Sequence, residues 1–400
     1  MSKLFALKGE IQNYAWGGTN FIPDLLGIGS TSEKYAEYWL GAHKKAPAVI
    51  TTATGKQELD AYILANPIKS LGAEVAHKFG GLPFLFKVLD VHEMLSIQVH
   101  PTKKEAEKGF KRENALGIPL TAAHRNYKDD NHKPEIMVAL SDFWLLHGFL
   151  SQEKLIKRLK EVSELTHLLP VFKEEGYLGL YKTVMEQSVE ETNRILSPLA
   201  KRIMPLYLEG KLDKMSPDYW AAKAMDATKD KQELDKGIYS VYFFNIVKTN
   251  KDEAVFQDAG IPHAYLEGQN IELMANSDNV LRGGLTPKHV DVPELLKHIA
   301  FEETIPNVMR GHVQADGLER IYKTPAPDFE LSKIDLIKAD IYQSKAKTAQ
   351  IIMVIDGEAE ITESETVLQM GKGDSVFLEA DAEYSITTTS NATLYKATTP

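Results

Sequence analysis

Gln98 and His100 stand two positions apart in the run "LSIQVHP", and that spacing is the first sign of chemistry in the chain. In an extended segment residues i and i+2 share a face, so these two side chains point together while Ile97 and Val99 point the other way. An amide oxygen and an imidazole make half of a metal site. Two more candidates can supply the rest: Glu135, just ahead of the apolar run Ile136 to Leu140, and His263, in a turn of "GIPHAYL" that feeds a strand. The four would form an N/O set of the kind that borderline Zn²⁺ accepts. The chain has no cysteine, which excludes disulfides, thiolate nucleophiles and thiolate ligands and leaves only nitrogen and oxygen donors. Taken singly, each side chain has a plainer reading, as a hydrogen-bonded structural histidine, a solvated carboxylate or an ordinary polar strand residue.

Lys87 is the other unusual residue. In "LPFLFKVLD" the alternation puts Phe84, Phe86 and Val88 on one face and Leu85, Lys87 and Leu89 on the other. An unpaired buried ammonium is costly, so an anion is expected to face it.

The elements that must position these residues follow from periodicity. Up to about Phe149 short alternating runs are broken by Gly, Pro and Asn, which reads as β. From Ser151 the apolar residues Leu155, Ile156, Leu159, Val162 and Leu165 recur at steps of three and four, with Ser151 available as N-cap. Helix is also predicted in "VMEQSVEETNRILSPLAKRI", in "SPDYWAAKAM" with Ser216 and Pro217 at N-cap and N1, and in "VPELLKHIAF". Strands are predicted to resume at "GIYSVYFFNIVKTN" and to run to the end. A weak repeat aligns "AVFQDAGIPHAY" with "SVFLEADAEYSI", setting His263 opposite Tyr384. Two related β units of jelly-roll type are therefore expected, the second without a histidine to hold a metal.

With 400 residues, more than one core is expected. The formal net charge of −10 disfavours nucleic acid as a partner. With no apolar window long enough for a membrane span and no signal-like amino terminus, a cytoplasmic protein that does not enter membranes is expected.

The segments "LPFLFKVLD", "LSIQVHP", "NHKPE", "GIPHAYL" and "MANSDNVLRGGLTPK" occur in that order. With "NYAWGG", "AEYWLGAHKKAPA", "DVPELL" and "PAPDFELSKIDL" they closely resemble the type I phosphomannose isomerases over nearly the whole chain. The resemblance implies a mainly β chain: a cupin (jelly-roll) catalytic domain in residues 1–150 and 238–315, a helical insertion in 151–237, and a second, metal-free cupin-like domain in 316–400. It implies one Zn²⁺ per chain, held by Gln98, His100, Glu135 and His263; a monomer or weak homo-oligomer is expected. It further implies interconversion of mannose 6-phosphate and fructose 6-phosphate through a cis-enediolate, with active-site residues at Lys87, Ser96, His132, Lys133, Tyr265, Glu272, Arg282 and Lys288. Within that set Glu272, His132 and Lys133 are candidate bases for the proton at C2, Arg282 suits developing negative charge, and Lys87, Ser96 and Lys288 suit the phosphate. Lys44, Asp130 and the approach to the histidine turn in "FQDAGIPHAY" depart from the family's usual pattern, but none of the departing positions is a ligand.

Two other classes compete. His100, Glu135 and His263 alone would serve an Fe(II) oxygenase as a two-histidine, one-carboxylate triad. A non-catalytic sugar-phosphate sensor is the second.

Overall fold

The computed structural model describes residues 2–29, 32–228 and 233–400. The alternating run becomes the strand Phe84–Val91, buried along its whole length. Phe84, Phe86 and Val88 join Ile136, Val138, Ile271 and Leu273 in one core. Leu89, on the opposite face, packs with Met137, Leu145 and Tyr265. Both faces are therefore covered, and each fully buried side chain of this size contributes roughly 1.5–3 kcal/mol. Lys87, on the second face, points into the protein.

One long strand, His263–Ala275, joins the walls of the first barrel. Its first half pairs with Phe143–Phe149, and His263 is also opposite Gln98. Its second half runs between Phe84–Val91 and Glu135–Ala139. The change falls near Gly268, whose φ is +125° and where a Cβ would lie 2.7 Å from the carbonyl oxygen of Asp142. A residue with a side chain would be strained and crowded there, so glycine lets one strand turn the corner and serve two walls.

Helices fill the middle of the chain. Gln152–Glu161 begins where Ser151 Oγ accepts from Lys154 N, and Pro217–Asp226 begins where Ser216 Oγ accepts from Asp218 N. Val189–Leu208 starts with a reciprocal capping box between Ser188 and Glu191. These helices share a core with the barrel, and the Trp144 and Trp220 rings lie 5.6 Å apart across the join. One expectation needs correcting. Strands do not resume at Gly237, because Gly237–Phe243 is a helix and the strand starts at Phe244. All seven residues of that helix are buried, so no polar face marks its period, and a short apolar run cannot be told from a strand by sequence.

The second β unit packs a four-stranded sheet against a nine-stranded one around Tyr342, Ile352, Val354, Tyr384 and Ile386. The amino-terminal strand Leu4–Lys8 belongs to this nine-stranded sheet, between Ser375–Leu378 and Val49–Thr52. The repeat is visible in the elements, since Ala254–Gln257 and Ser375–Leu378 occupy the same alignment positions. The chain is thus mainly β, with two jelly rolls and a helical insertion, as its sequence predicts.

Candidate active site

Strand pairing brings together residues that are far apart in sequence. Glu135 Oε1 lies 3.4 Å from His100 Nε2, and its other oxygen lies 3.3 Å from His263 Nε2. All three side chains are buried, and they are the one group of three potential metal-ligating residues of these types found among the described residues. Gln98, half-buried, shares a cavity wall with Glu135 and His263.

The imidazole contacts decide which nitrogens face that point. His100 Nδ1 is 3.0 Å from the carbonyl oxygen of Asn279, and His263 Nδ1 is 3.0 Å from that of Ile261. A carbonyl can only accept, so each Nδ1 carries the hydrogen and each Nε2 turns a lone pair toward Glu135. Burial pushes the His100 imidazole down to about 4, so it is neutral at ordinary pH. Its Nε2 is a buried atom with no hydrogen-bond partner. Burial opposes ionisation of Glu135, yet the Lys133 ammonium beside it holds its carboxyl well below its ordinary value. Two imidazole lone pairs aimed at an ionised carboxylate repel it unless a cation lies among them. The donors fit Zn²⁺, and the carbonyls behind the rings orient them as second-sphere partners do.

A second cluster shares the cavity. Lys133 Nζ is 2.8 Å from Glu135 Oε1. Lys87 Nζ is 2.9 Å from Glu272 and 3.6 Å from Glu37. The anions facing Lys87 are therefore carboxylates of the protein. Burial alone would depress its ammonium, but Glu272, Glu37 and Glu135 raise it above its ordinary value. Burial raises Glu272, with Lys87 opposing. Tyr265 Oη, buried without a hydrogen-bond partner, is pushed well up by burial and by the charges of Glu272 and Glu135.

The remaining predicted residues lie outside this wall. Arg282 is opposite Gln98 in register, so it shares that face, and it is half-buried. Burial depresses its guanidinium. Lys288 is exposed, and its ammonium is depressed by burial and by Arg282. His132 turns to the buried Asp328, 2.8 Å away. Ser96 is half-buried, and its neighbours Leu95 and Gln98 form the wall instead.

Sequence reasoning missed Glu37 and Asn279. Glu37 accepts from Trp39 Nε1 and lines the cavity. A carboxylate two positions from Trp39 in a strand buried throughout was the available signal. Asn279 acts on His100 through its backbone, which no side-chain pattern reveals.

The fold and the donor set define a metal-binding cupin whose site pairs buried lysines with carboxylates. The description "Phosphomannose isomerase type I, catalytic domain" is matched over residues 4–152, and "Mannose-6-phosphate isomerase, cupin domain" over residues 319–395. The mannose-6-phosphate isomerase of Salmonella typhimurium is 38% identical, with 94% of each chain covered. That of Escherichia coli is 37% identical over the same shares. A zinc-bound crystal structure of mannose 6-phosphate isomerase matches all of both chains at 36% identity, with a TM-score of 0.88. The Salmonella typhimurium enzyme bound to fructose 6-phosphate and zinc gives a TM-score of 0.89 at 35% identity, again over all of both chains. The chain belongs to the type I phosphomannose isomerase family.

Proposed function

We propose that this protein is a zinc-dependent aldose–ketose isomerase that interconverts mannose 6-phosphate and fructose 6-phosphate. The observation that carries the reading is the triangle of His100, Glu135 and His263, with both Nε2 lone pairs turned to one ionised carboxylate, beside a cavity that Glu135 and His263 line together with Lys133, Lys87 and Glu272. His100, Glu135 and His263, with Gln98 as a neutral fourth donor, would hold the ion. Bound there, zinc supplies Lewis-acid stabilisation of negative charge on the sugar oxygens.

The chain's own residues do the rest. Glu272 takes the C2 proton and returns one to C1, since burial raises its carboxyl toward working pH, where a general base is most effective. Lys87, 2.9 Å away, holds that carboxylate in place. Lys133 donates to oxygen from beside Glu135, and Tyr265 closes the wall with its hydroxyl turned inward. Arg282 meets the charge that develops in the enediolate, and Lys288 binds the phosphate from the solvent side. His132, held by Asp328, lies outside the cavity wall and is read as support for the Lys133 segment.

A coupled assay for fructose 6-phosphate formed from mannose 6-phosphate tests this. Turnover that a chelator stops and Zn²⁺ restores is expected. Binding without turnover in a zinc-loaded sample, or oxygen uptake in place of isomerisation, would overturn it.

A further inference from the structure

The segment that carries Arg282 and Lys288 is hydrogen-bonded to the end of the helical insertion through Asp235. Asp235, just ahead of the helix Gly237–Phe243, accepts from Leu285 N at 2.8 Å and from Gly237 N at 2.7 Å with one carboxylate oxygen. Its other oxygen accepts from Thr286 N at 3.0 Å. On the far side, Gly283 N donates to Ile97 O at 2.8 Å and Ile97 N donates to Gly284 O at 3.0 Å. The loop is thus clamped between the short strand that presents Gln98 and the end of the insertion.

The backbone needs such a clamp. Leu285 has a φ of +53°, a conformation that residues with a side chain adopt only when the surroundings impose it. Gly284, at φ +115°, passes so close to Gly237 that a Cβ on either would come within 2.5 Å of the other segment. Backbone N–H bonds to an ionised carboxylate are among the stronger hydrogen bonds. The two that Asp235 makes to Leu285 and Thr286 hold the strained turn in place.

We infer that Asp235 is a positioning residue for the Arg282–Lys288 loop, and that through it the helical insertion sets the placement of both cations over the substrate site. This rests on the proposed roles of Arg282 and Lys288. Capping the helix Gly237–Phe243 is the rival explanation, and it predicts lost stability without any special link to those two cations.

A double-mutant cycle separates the two. Asp235→Ala should lower kcat/KM roughly tenfold, while zinc content and thermal midpoint stay near those of the parent. In an Arg282→Ala/Lys288→Ala background the same change should cost less than about twofold, because the groups it positions are gone. Asp235→Asn keeps one acceptor oxygen but sets an NH₂ against Thr286 N–H, so it should fall between parent and Ala and serves if the Ala variant folds poorly. An equal loss in both backgrounds, or parent-like kinetics for Asp235→Ala, would overturn the inference. Parent-like kinetics for Arg282→Ala/Lys288→Ala itself would overturn the underlying reading of the loop.

Discussion

Lys87 and Glu272 sit directly opposite each other on adjacent antiparallel strands, and their side chains close to 2.9 Å. The pair is buried, so the state of one depends on the other. Lys87 lowers the carboxyl that burial raises. Removing the ammonium in Lys87→Met should therefore raise Glu272 further. If Glu272 must be ionised to take the C2 proton, the acidic limb of the kcat/KM profile should move to higher pH. Glu272→Gln should lower kcat by roughly 10² to 10⁴ with zinc retained. An unmoved acidic limb in the Lys87 variant would assign the base elsewhere.

The metal should be removable and necessary. About one zinc per chain is expected by metal analysis, and His100→Ala should lose ion and turnover together. Zinc at about a thousand times its dissociation constant should stabilise the fold by about 4 kcal/mol, read as a rise in thermal midpoint of the stripped protein. Full activity in a verified zinc-free sample would contradict the proposed site.

Arg282 and Lys288 should separate kinetically. A permanent cation cannot be a metal ligand, so Arg282→Ala should keep its zinc. If its guanidinium meets charge that appears only in the transition state, kcat should drop by roughly 10² with little change in KM. Lys288→Ala should act mainly on KM, because a phosphate contact exists before and during the reaction. Both variants are best measured by steady-state kinetics and metal analysis on the same preparations, and loss of zinc with Arg282 would show the role to be wrong.

His147 predicts an acid-sensitive fold. It is buried on the strand Phe143–Phe149 opposite His263, and its Nε2 donates to Phe256 O while Nδ1 has no partner. Burial holds it down to about 4. Its folded value lies below the unfolded value of about 6.5, so its stabilising effect is complete above pH 6.5 and is lost as pH falls toward 4. At pH 5 the loss should be roughly 2 kcal/mol. In His147→Gln the thermal midpoint should fall less between pH 7.5 and 5 than in the parent, and an unchanged slope would acquit this residue.

Much of the site was legible because local geometry dictates it. A two-residue spacing put Gln98 and His100 on one face, alternation forced Lys87 inward, and Ser151, Ser216 and the three-to-four spacing beyond Ser151 marked the helices. Those features depend on neighbours a few positions away, which a sequence displays. Other features were settled only by contacts between distant segments. The helix Gly237–Phe243 carries no period because it is buried all round. The anions facing Lys87 come from residues 37 and 272, and the partner of His132 from residue 328. The tautomer of His100 is fixed by the carbonyl of Asn279, a group every residue has and no sequence pattern distinguishes. Residue types and spacing thus determined which side chains could bind a metal. Which nitrogen faces it, and which charge faces which, was decided by the pairing of strands that bring residues 37, 87, 135, 263 and 272 into one buried cavity, where an unpaired charge is too costly to leave.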